Sequence, residues 1–244
     1  MKKIIKYLLA KAGYSMHCIR HIPDSLLNPN HVRNFNFEDA ANILMHQKGS
    51  KLVFLQIGVY DGLYGDPLRK FILQYGWGGV MVEPQHKCAA GLRDLYSTNK
   101  DIQVLQAAVD IEPGERILYT IEESEATDWK GGLASFSRET ITKHEKFFPG
   151  ISSKILEQKV PCLTPAMVLE KIPGGYLDIL QIDTEGADGM IISLFPFERI
   201  CPAIVHFEIK HLSKSEQEKS FARLIGYGYK LSKPVDDDIL AVKI

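Results

Sequence analysis

The chain has 244 residues, of which 45% are hydrophobic and 24% charged, values typical of a folded globular protein and not of a disordered one. Its formal net charge of −1 gives no basis for a nucleic-acid partner. The four cysteines are far apart, without a C-x-x-C pair, so neither a zinc knuckle nor a disulfide scaffold is indicated, and a reducing, cytoplasmic location is expected.

The first 36 residues are basic and differ from the rest of the chain. Residues 2–12 place apolar side chains on one helical face and lysines mostly elsewhere, and the stretch is too short to span a bilayer. We expect it to pack on the main domain or on a second subunit, as in a homodimer, or to contact an anionic membrane surface transiently. The chain therefore divides into a helical extension, residues 1–36, and a main domain, residues 37–244.

Helix-like and strand-like segments alternate through the main domain. A helix over residues 37–47 precedes a buried strand over residues 52–57. Further strands are predicted at residues 79–82, 102–109, 160–162, 177–182 and 203–207, with an edge strand at residues 117–121. This alternation predicts a mainly parallel sheet with helices on both faces. Residues 227–231 and 239–242 are separated by a link that permits a hairpin but no parallel crossover.

Three further segments have local signatures. Residues 122–150 show no regular period and are predicted to form a lid or binding loop. Thr164 and Pro165 begin a helix that should end near Gly174, and Ser213 with Glu216 forms a capping box for a helix ending at Gly226.

The stretch LVFLQIGVYDGLYGDP, residues 52–67, predicts a strand, a glycine turn and a helix N-terminus. Gly58 and Gly62 would let the backbone approach a ligand closely. Asp66 would cap backbone N–H groups, and Pro67 suits the first helical position. An ordinary strand-to-helix loop is the alternative.

Ligands of open α/β sheets bind beyond the carboxyl ends of the strands. Glu83 ends the second strand and could accept hydrogen bonds from both hydroxyls of a ribose. Alternatively, Glu83 contacts no ligand, and its negative charge is only stabilised by the dipole of the next helix. Asp61 in the glycine loop would repel a pyrophosphate but suits S-adenosylmethionine, which carries a sulfonium and an ammonium group. Its alternative role is that of a turn-forming aspartate.

Polar side chains also follow two later strands. Asp183 and Glu185 come after a buried strand, where a carboxylate costs free energy unless it is paired or has a function. Alternatively, the two residues cap the next helix. Glu208 and His211 follow the next strand, whereas His206 is expected to point into the sheet as a structural histidine.

These residues carry a resemblance to the FkbM-type methyltransferases, which use S-adenosylmethionine. The stretches that match, in the order of the family and across residues 52–230, are QIGVYDGLYGDPL, GVMVEPQ, QAAVD, LASFSRE, LDILQIDTEGAD and FEIKHL. The resemblance implies a class I methyltransferase (Rossmann-like) fold: a seven-stranded, mostly parallel sheet with helices on both faces and a closing antiparallel hairpin. It assigns acceptor contacts to Ser135 and Glu185. The cofactor contacts that it implies are Gln56, Gly58, Asp61, Gly62, Glu83, Pro84, Gln106, Ala107, Ala108 and Asp183.

The activity implied is methyl transfer to an oxygen, such as a hydroxyl of a sugar or another secondary metabolite. We expect Asp183 or His211 to act as general base, with Glu208 orienting the histidine. A divalent cation such as Mg²⁺, held by Asp183 and a neighbouring carboxylate, is the less favoured variant.

The alternative function is a catalytically inactive protein that binds S-adenosylmethionine and serves as a partner in a glycan or metabolite pathway. It is prompted by the bulky residues Val59 and Tyr60 in the cofactor loop. A nicotinamide-dependent oxidoreductase is disfavoured because G-x-G-x-x-G is absent and the sheet closes with a hairpin.

Overall fold

The computed structural model describes residues 36–63, 65–121, 133–232 and 237–243. The predicted N-terminal extension and the first part of the predicted lid lie outside the described residues. No helix in the described ranges is long and apolar enough to cross a membrane.

The described residues form two sheets and seven α-helices. The strands are β1 (Val53–Ile57), β2 (Gly78–Val82), β3 (Ile102–Leu105), β4 (Ala108–Val109), β5 (Gly114–Ile121), β6 (Ile155–Leu163), β7 (Ile179–Ile182), β8 (Ile204–Glu208), β9 (Lys230–Leu231) and β10 (Asp238–Val242). The helices are α1 (Phe37–Lys48), α2 (Arg69–Tyr75), α3 (His86–Leu95), α4 (Arg138–Thr142), α5 (Pro165–Leu169), α6 (Asp188–Leu194) and α7 (Lys214–Gly226).

The main sheet has seven strands in the spatial order β3-β2-β1-β7-β8-β10-β9. The first five of these pair in parallel, and β10 runs antiparallel to both β8 and β9. The predicted mostly parallel sheet and its closing hairpin are thus confirmed.

The main sheet is buried on both faces, which explains why its strands are almost continuously apolar. Successive side chains of β1 point to opposite faces. Phe54 packs on the side of α1 and α2 with Phe71 and Trp77, whose rings stack at a centroid distance of 4.4 Å. Leu55 and Ile57 pack on the other side, in the cluster that includes α5 and α6.

Local signals set the ends of the longer helices. The side chain of Asn36 accepts a hydrogen bond from the backbone of Asp39 at the start of α1, and Gly49 ends that helix in the left-handed conformation. The predicted capping box of Ser213 and Glu216 is present at the start of α7.

A second sheet of three strands, in the order β4-β6-β5, was not predicted. The predicted strand over residues 102–109 is wrong as one element, because the chain leaves the main sheet after β3 and β4 pairs in parallel with β6. The predicted edge strand at residues 117–121 belongs to β5 of this sheet, and residues 160–162 are the end of the nine-residue β6.

Three local predictions also need correction. Helix α2 begins at Arg69 and not at Pro67, because Asp66 accepts from the backbone N–H of Leu68 at 2.8 Å and forms a turn before the helix. Helix α5 ends at Leu169 and is followed by a separate 3₁₀ turn, Pro173–Gly175. Residues 133–150 are not irregular throughout, since they contain α4 and the 3₁₀ turn Lys143–Lys146.

Candidate active site

The carboxyl ends of β1, β2, β7 and β8 lie side by side in the main sheet, and we call this border the carboxyl edge. Ile57 at the end of β1 pairs with Val82 of β2 and with Ile182 of β7, and Ile182 pairs with Phe207 of β8. The loops that follow these strands therefore meet, as the sequence predicts.

Gly58 is required by the close approach of β1 and β7. Its φ is +78°, and a Cβ atom at this position would lie 1.8 Å from the carbonyl oxygen of Asp183. Gly62, with a φ of +66°, lies against α3, because an added Cβ would be 2.6 Å from Cδ2 of Leu92. Both glycines thus serve the packing of the loop within the protein.

Glu83 shapes the same loop. Its Oε2 accepts from the backbone N–H groups of Val59 (3.2 Å) and Tyr60 (2.8 Å), and its Oε1 accepts from that of Gln85 (2.9 Å). Burial raises the pKa of Glu83, and these amide hydrogen bonds oppose the shift. A carboxylate offers about four acceptor positions, and the side chain of Gln85 adds a further hydrogen bond to these three, so Glu83 in this structure holds the loop.

The other predicted cofactor residues surround this loop. Asp61 accepts from the backbone N–H of Leu63 at 2.8 Å, in its turn-forming role. Gln56 is buried on the α1 side of the sheet, where its Nε2 donates to Asp66 at 3.2 Å.

Four further predicted cofactor residues lie where the main sheet gives way to the second sheet. The end of β2 is joined to β3 by the hydrogen bond from the N–H of Glu83 to the carbonyl of Leu105 (3.0 Å), and Pro84 follows. Gln106 and Ala107 connect β3 to β4, in which Ala108 pairs with Cys162.

Ser135, a predicted acceptor contact, lies on the second sheet. Its backbone forms an isolated bridge with Tyr119, and its Oγ accepts from the backbone N–H of Ser137 at 3.1 Å. Its described hydrogen bonds are to Tyr119 and Ser137 and not to the loops that follow β1, β2, β7 and β8.

Four polar side chains that the sequence predicts as functional come together at the carboxyl edge: Asp183, Glu185, Glu208 and His211. We call them the strand-end cluster. Nε2 of His211 is 2.8 Å from Oε2 of Glu185 and 3.7 Å from Oε2 of Glu208. The expected orienting partner was Glu208, but the carboxylate at hydrogen-bonding distance belongs to Glu185. The backbone of Glu185 is left-handed, with a φ of +56°, which is uncommon outside glycine.

The four groups differ in the direction in which their surroundings shift their pKa values. Asp183 is solvent-exposed on one side, yet the surrounding protein atoms, together with the carboxylates of Asp188 and Glu185, raise its pKa to about 7. Burial and the nearby Glu185 also raise the pKa of Glu208 to about 7. The hydrogen bond between His211 and Glu185 raises the pKa of the histidine and lowers that of the glutamate.

This pattern separates the two expected bases. The hydrogen bond to Glu185 favours the protonated form of His211, in which Nε2 has no lone pair to offer. Asp183 changes its charge near neutral pH, which is the condition for an efficient general base. Of the two expected bases, Asp183 thus has the charge behaviour that a general base requires.

Asp188 is a positioning residue that the sequence reasoning missed. It is 1% exposed and accepts from Oγ1 of Thr184 (2.6 Å) and from the backbone N–H of Glu208 (3.3 Å). It thus ties the loop after β7 to the end of β8. The available signal was an acidic residue in the first turn of α6, which sequence alone does not distinguish from a helix-dipole effect.

The second part of the predicted lid approaches the cluster. His144, in the 3₁₀ turn Lys143–Lys146, contributes to lowering the pKa of Glu185, as does Lys210. Lys210 and this part of the predicted lid thus lie near the acidic cluster.

A cation that displaced the proton of His211 would find ligands here. Glu185, Glu208 and His211 each offer a ligand atom, and these atoms lie within 4.8 Å of one another. The group differs from the predicted one, which was based on Asp183. The same excess of carboxylates at the carboxyl edge suits the sulfonium and ammonium groups of S-adenosylmethionine, whereas it would repel a pyrophosphate.

The sequence profile of the methyltransferase FkbM domain matches residues 56–231. No curated protein matches the chain.

Among solved structures, the methyltransferase FkbM of Methylobacillus flagellatus KT is 11% identical over 79% of this chain and 44% of its own, with a TM-score of 0.46. The precorrin-6y C5,15-methyltransferase of Geobacter metallireducens GS-15 is 12% identical over 88% and 92% of the two chains, with a TM-score of 0.41. Fibrillarin of Aeropyrum pernix, in a complex with natively bound S-adenosyl-L-methionine, is 9% identical over 79% and 67%, with a TM-score of 0.40. This chain thus spans less than half of the FkbM structure. Because the family profile covers most of the sequence, the chain belongs to the FkbM methyltransferase domain family.

Proposed function

We propose that the protein transfers a methyl group from S-adenosylmethionine to a hydroxyl of a sugar or another small metabolite, with Asp183 as the general base. The observation that carries this proposal is the position of Asp183. It lies at the end of β7, directly beside Gly58 of the cofactor loop, and its pKa of about 7 matches a base that works near neutral pH.

The use of S-adenosylmethionine is supported by the family and by the acidic character of the carboxyl edge. The residues expected to hold it are those of the loop Gly58–Gly62, which the carboxylate of Glu83 fixes through the backbone N–H groups of Val59 and Tyr60. When bound, it supplies an electrophilic methyl group on a sulfonium. A hydroxyl and not a carbon acceptor is favoured because a base that ionises near neutral pH stands at the transfer site.

The residues of this chain would act as follows. The Asp183 carboxylate takes the proton of the acceptor hydroxyl as the oxygen attacks the methyl carbon and the carbon–sulfur bond breaks. The proton then passes from Asp183 to solvent, to which its side chain is open. The ion pair of His211 and Glu185 fixes the loop after β7 against the loop after β8. Alignment of acceptor and methyl group supplies the remaining catalysis.

The test compares the wild type with Asp183→Asn, an isosteric change. With an acceptor in hand, kcat should fall by ~10²–10⁴-fold, the usual contribution of a general base. The rate of the wild type should rise with pH as Asp183 ionises around pH 7, and this limb should be missing from the variant. S-adenosylmethionine affinity, measured by calorimetry, should stay within about threefold, since isosteric substitution keeps the loop intact.

Calorimetry also separates the failure modes. A variant that binds the cofactor and retains its rate would remove Asp183 from the mechanism. A wild type that binds the cofactor tightly and methylates no hydroxyl compound would instead support the inactive binding partner.

A further inference from the structure

A group of three side chains lies at the start of β8, away from the strand-end cluster: the thiol of Cys201, the amine of Lys243 and the phenol of Tyr229. Cys201 precedes β8, and Lys243 follows β10. Because these strands are antiparallel, with Ile204 paired to Val242, the end of β10 lies beside the start of β8. This is the border of the main sheet opposite the carboxyl edge. We call the group the thiol–amine cluster.

Lys243 directs its amine at the sulfur. Its Nζ donates a hydrogen bond to Sγ of Cys201 at 3.2 Å, and the other described contact of this amine is with the ring of Tyr229, whose centroid is 6.0 Å away. The backbone N–H of Lys243 donates to the carbonyl of Ala203 at 2.8 Å. This backbone hydrogen bond fixes the two chain segments side by side, so the contact between sulfur and amine does not depend on the long lysine side chain alone.

Tyr229 contacts the sulfur as well. Sγ of Cys201 donates to Oη of Tyr229 at 3.3 Å, and Oη donates to the carbonyl of Pro202 at 2.5 Å. Tyr229 is 3% exposed, and burial raises the pKa of its phenol, which therefore keeps its proton and accepts from the thiol through its oxygen. The sulfur is thus held between a buried phenol and the amine of an exposed lysine.

Cys201 is also the described cysteine that a dissolved oxidant can reach. Cys88 and Cys162 are buried, whereas Cys201 is partly exposed. Peroxides oxidise accessible thiols to sulfenic acids, which then condense with neighbouring nucleophiles. A sulfenic acid at Cys201 would have the amine of Lys243 in contact with it. Reactions between groups that are held in contact are strongly favoured over the same reactions with groups from solution.

We propose that Cys201 and Lys243 form a modification site for a peroxide, in which oxidation of the thiol ends in a covalent sulfur–nitrogen bond between the two side chains. The bond joins the end of β10 to the start of β8. It also protects Cys201 from irreversible oxidation to the sulfinic acid. This inference goes beyond the proposed function and needs neither cofactor nor acceptor.

The reaction has two balanced steps, with hydrogen peroxide as the oxidant. In the first, Sγ attacks one peroxide oxygen and the O–O bond breaks, so the sulfur loses two electrons to the peroxide, and Cys201 sulfenic acid and one water result. In the second, Nζ of Lys243 in its neutral form attacks Sγ. The S–N bond forms, the S–O bond breaks, and the hydroxide leaves with a proton of the amine as a second water. The protein has then lost two hydrogen atoms, about 2 Da.

The test treats the full chain with hydrogen peroxide at about pH 9, where a larger share of lysine side chains is neutral, and analyses tryptic peptides by tandem mass spectrometry. Lys243→Arg keeps the positive charge but replaces the amine by a guanidinium, which stays protonated and does not attack sulfur. Lys230→Arg is the matched control, because Lys230 is an exposed lysine of the same hairpin and pairs with Val242. Peptide sequencing distinguishes the bond between Cys201 and Lys243 from a disulfide, which causes the same change in mass.

The wild type and Lys230→Arg should yield a peptide with Cys201 joined to one with Lys243, about 2 Da lighter than the two together, and dithiothreitol should separate them. Lys243→Arg should lose this product and accumulate Cys201 sulfinic acid, about 32 Da heavier than the thiol. A Cys201 that stays a thiol in the wild type, the same products in the wild type and Lys243→Arg, or loss of the joined peptides in Lys230→Arg would each overturn the proposal. None of these readouts involves S-adenosylmethionine, so the result is independent of the proposed function.

Discussion

Glu185 and Asp183 follow the same strand but have opposite charge behaviour. The hydrogen bond to His211 lowers the pKa of Glu185 and favours its ionised form, whereas Asp183 has no such partner within the strand-end cluster and is crowded by other carboxylates. Pairs of groups whose environments push their pKa values apart are typical of acid–base sites. The contrast supports our proposal that Glu185 forms a structural ion pair and that Asp183 transfers the proton.

The ion pair is testable without an acceptor. Glu185→Gln removes the hydrogen bond and the charge that hold the pKa of His211 above its usual value of 6.5, so this pKa should fall to 6.5 or lower. An NMR titration of the histidine ring measures it, with Glu115→Gln, an exposed change on β5, as control. If the His211 resonance titrates at the same pH in both variants, Glu185 is not its partner in solution.

The sequence predicted which residues meet but not how they pair. The meeting of Asp183, Glu185, Glu208 and His211 follows from the rule that parallel strands present their carboxyl ends at one edge. The pairing of His211 with Glu185 depends on the left-handed backbone of that glutamate, which no local propensity encodes. The bridge made by Asp188 depends likewise on a contact between two loops that are distant in the sequence.

At the scale of elements, the junction of β1 and β7 determines the position of the site. Gly58 and Gly65 have similar positive φ values, +78° and +67°, but an added Cβ would collide with the backbone of Asp183 at Gly58 and meet no atom within 4 Å at Gly65. The two glycines therefore form a matched pair. Both have a backbone conformation that disfavours a side chain, but only at Gly58 would a side chain also collide with neighbouring atoms.

Gly65→Ala should lower the free energy of unfolding by about 1–2 kcal/mol, the cost of a left-handed conformation. Gly58→Ala should lower it by at least about 2 kcal/mol more, because the two strand ends must separate. Urea denaturation of both variants measures the difference. Equal losses would mean that β1 and β7 are not in the close contact described.

The elements themselves divide into those with local signals and those without. The main-sheet strands and α7 were predicted because apolar runs, capping residues and turns are local features. The second sheet was not, because the pairing of β4 with β6 joins Ala108 to Cys162, more than fifty residues apart, and two residues of β4 carry no signal of their own. The same long-range contact bends the chain away from the main sheet at Gln106.

For the whole molecule, the account requires that S-adenosylmethionine stabilise the fold. At a ligand concentration of about 100 Kd, binding to the native state alone adds about 2.7 kcal/mol. For a chain of 244 residues this should raise Tm by about 5–10 °C. Differential scanning fluorimetry with S-adenosylmethionine and, as control, NADH measures it. A shift of the same size with NADH would contradict the expected cofactor specificity.

The most direct measurement of the central claim follows the methyl group itself. The protein is incubated with S-adenosylmethionine labelled in the methyl group and with a panel of neutral sugars and hydroxylated metabolites, and the products are resolved by mass spectrometry. We expect the wild type to form a product with a labelled O-methyl group, and Asp183→Asn, although it still binds the cofactor, to form at least about 100-fold less. A wild type that binds S-adenosylmethionine but labels no oxygen, or that places the label on nitrogen or carbon, would contradict the account.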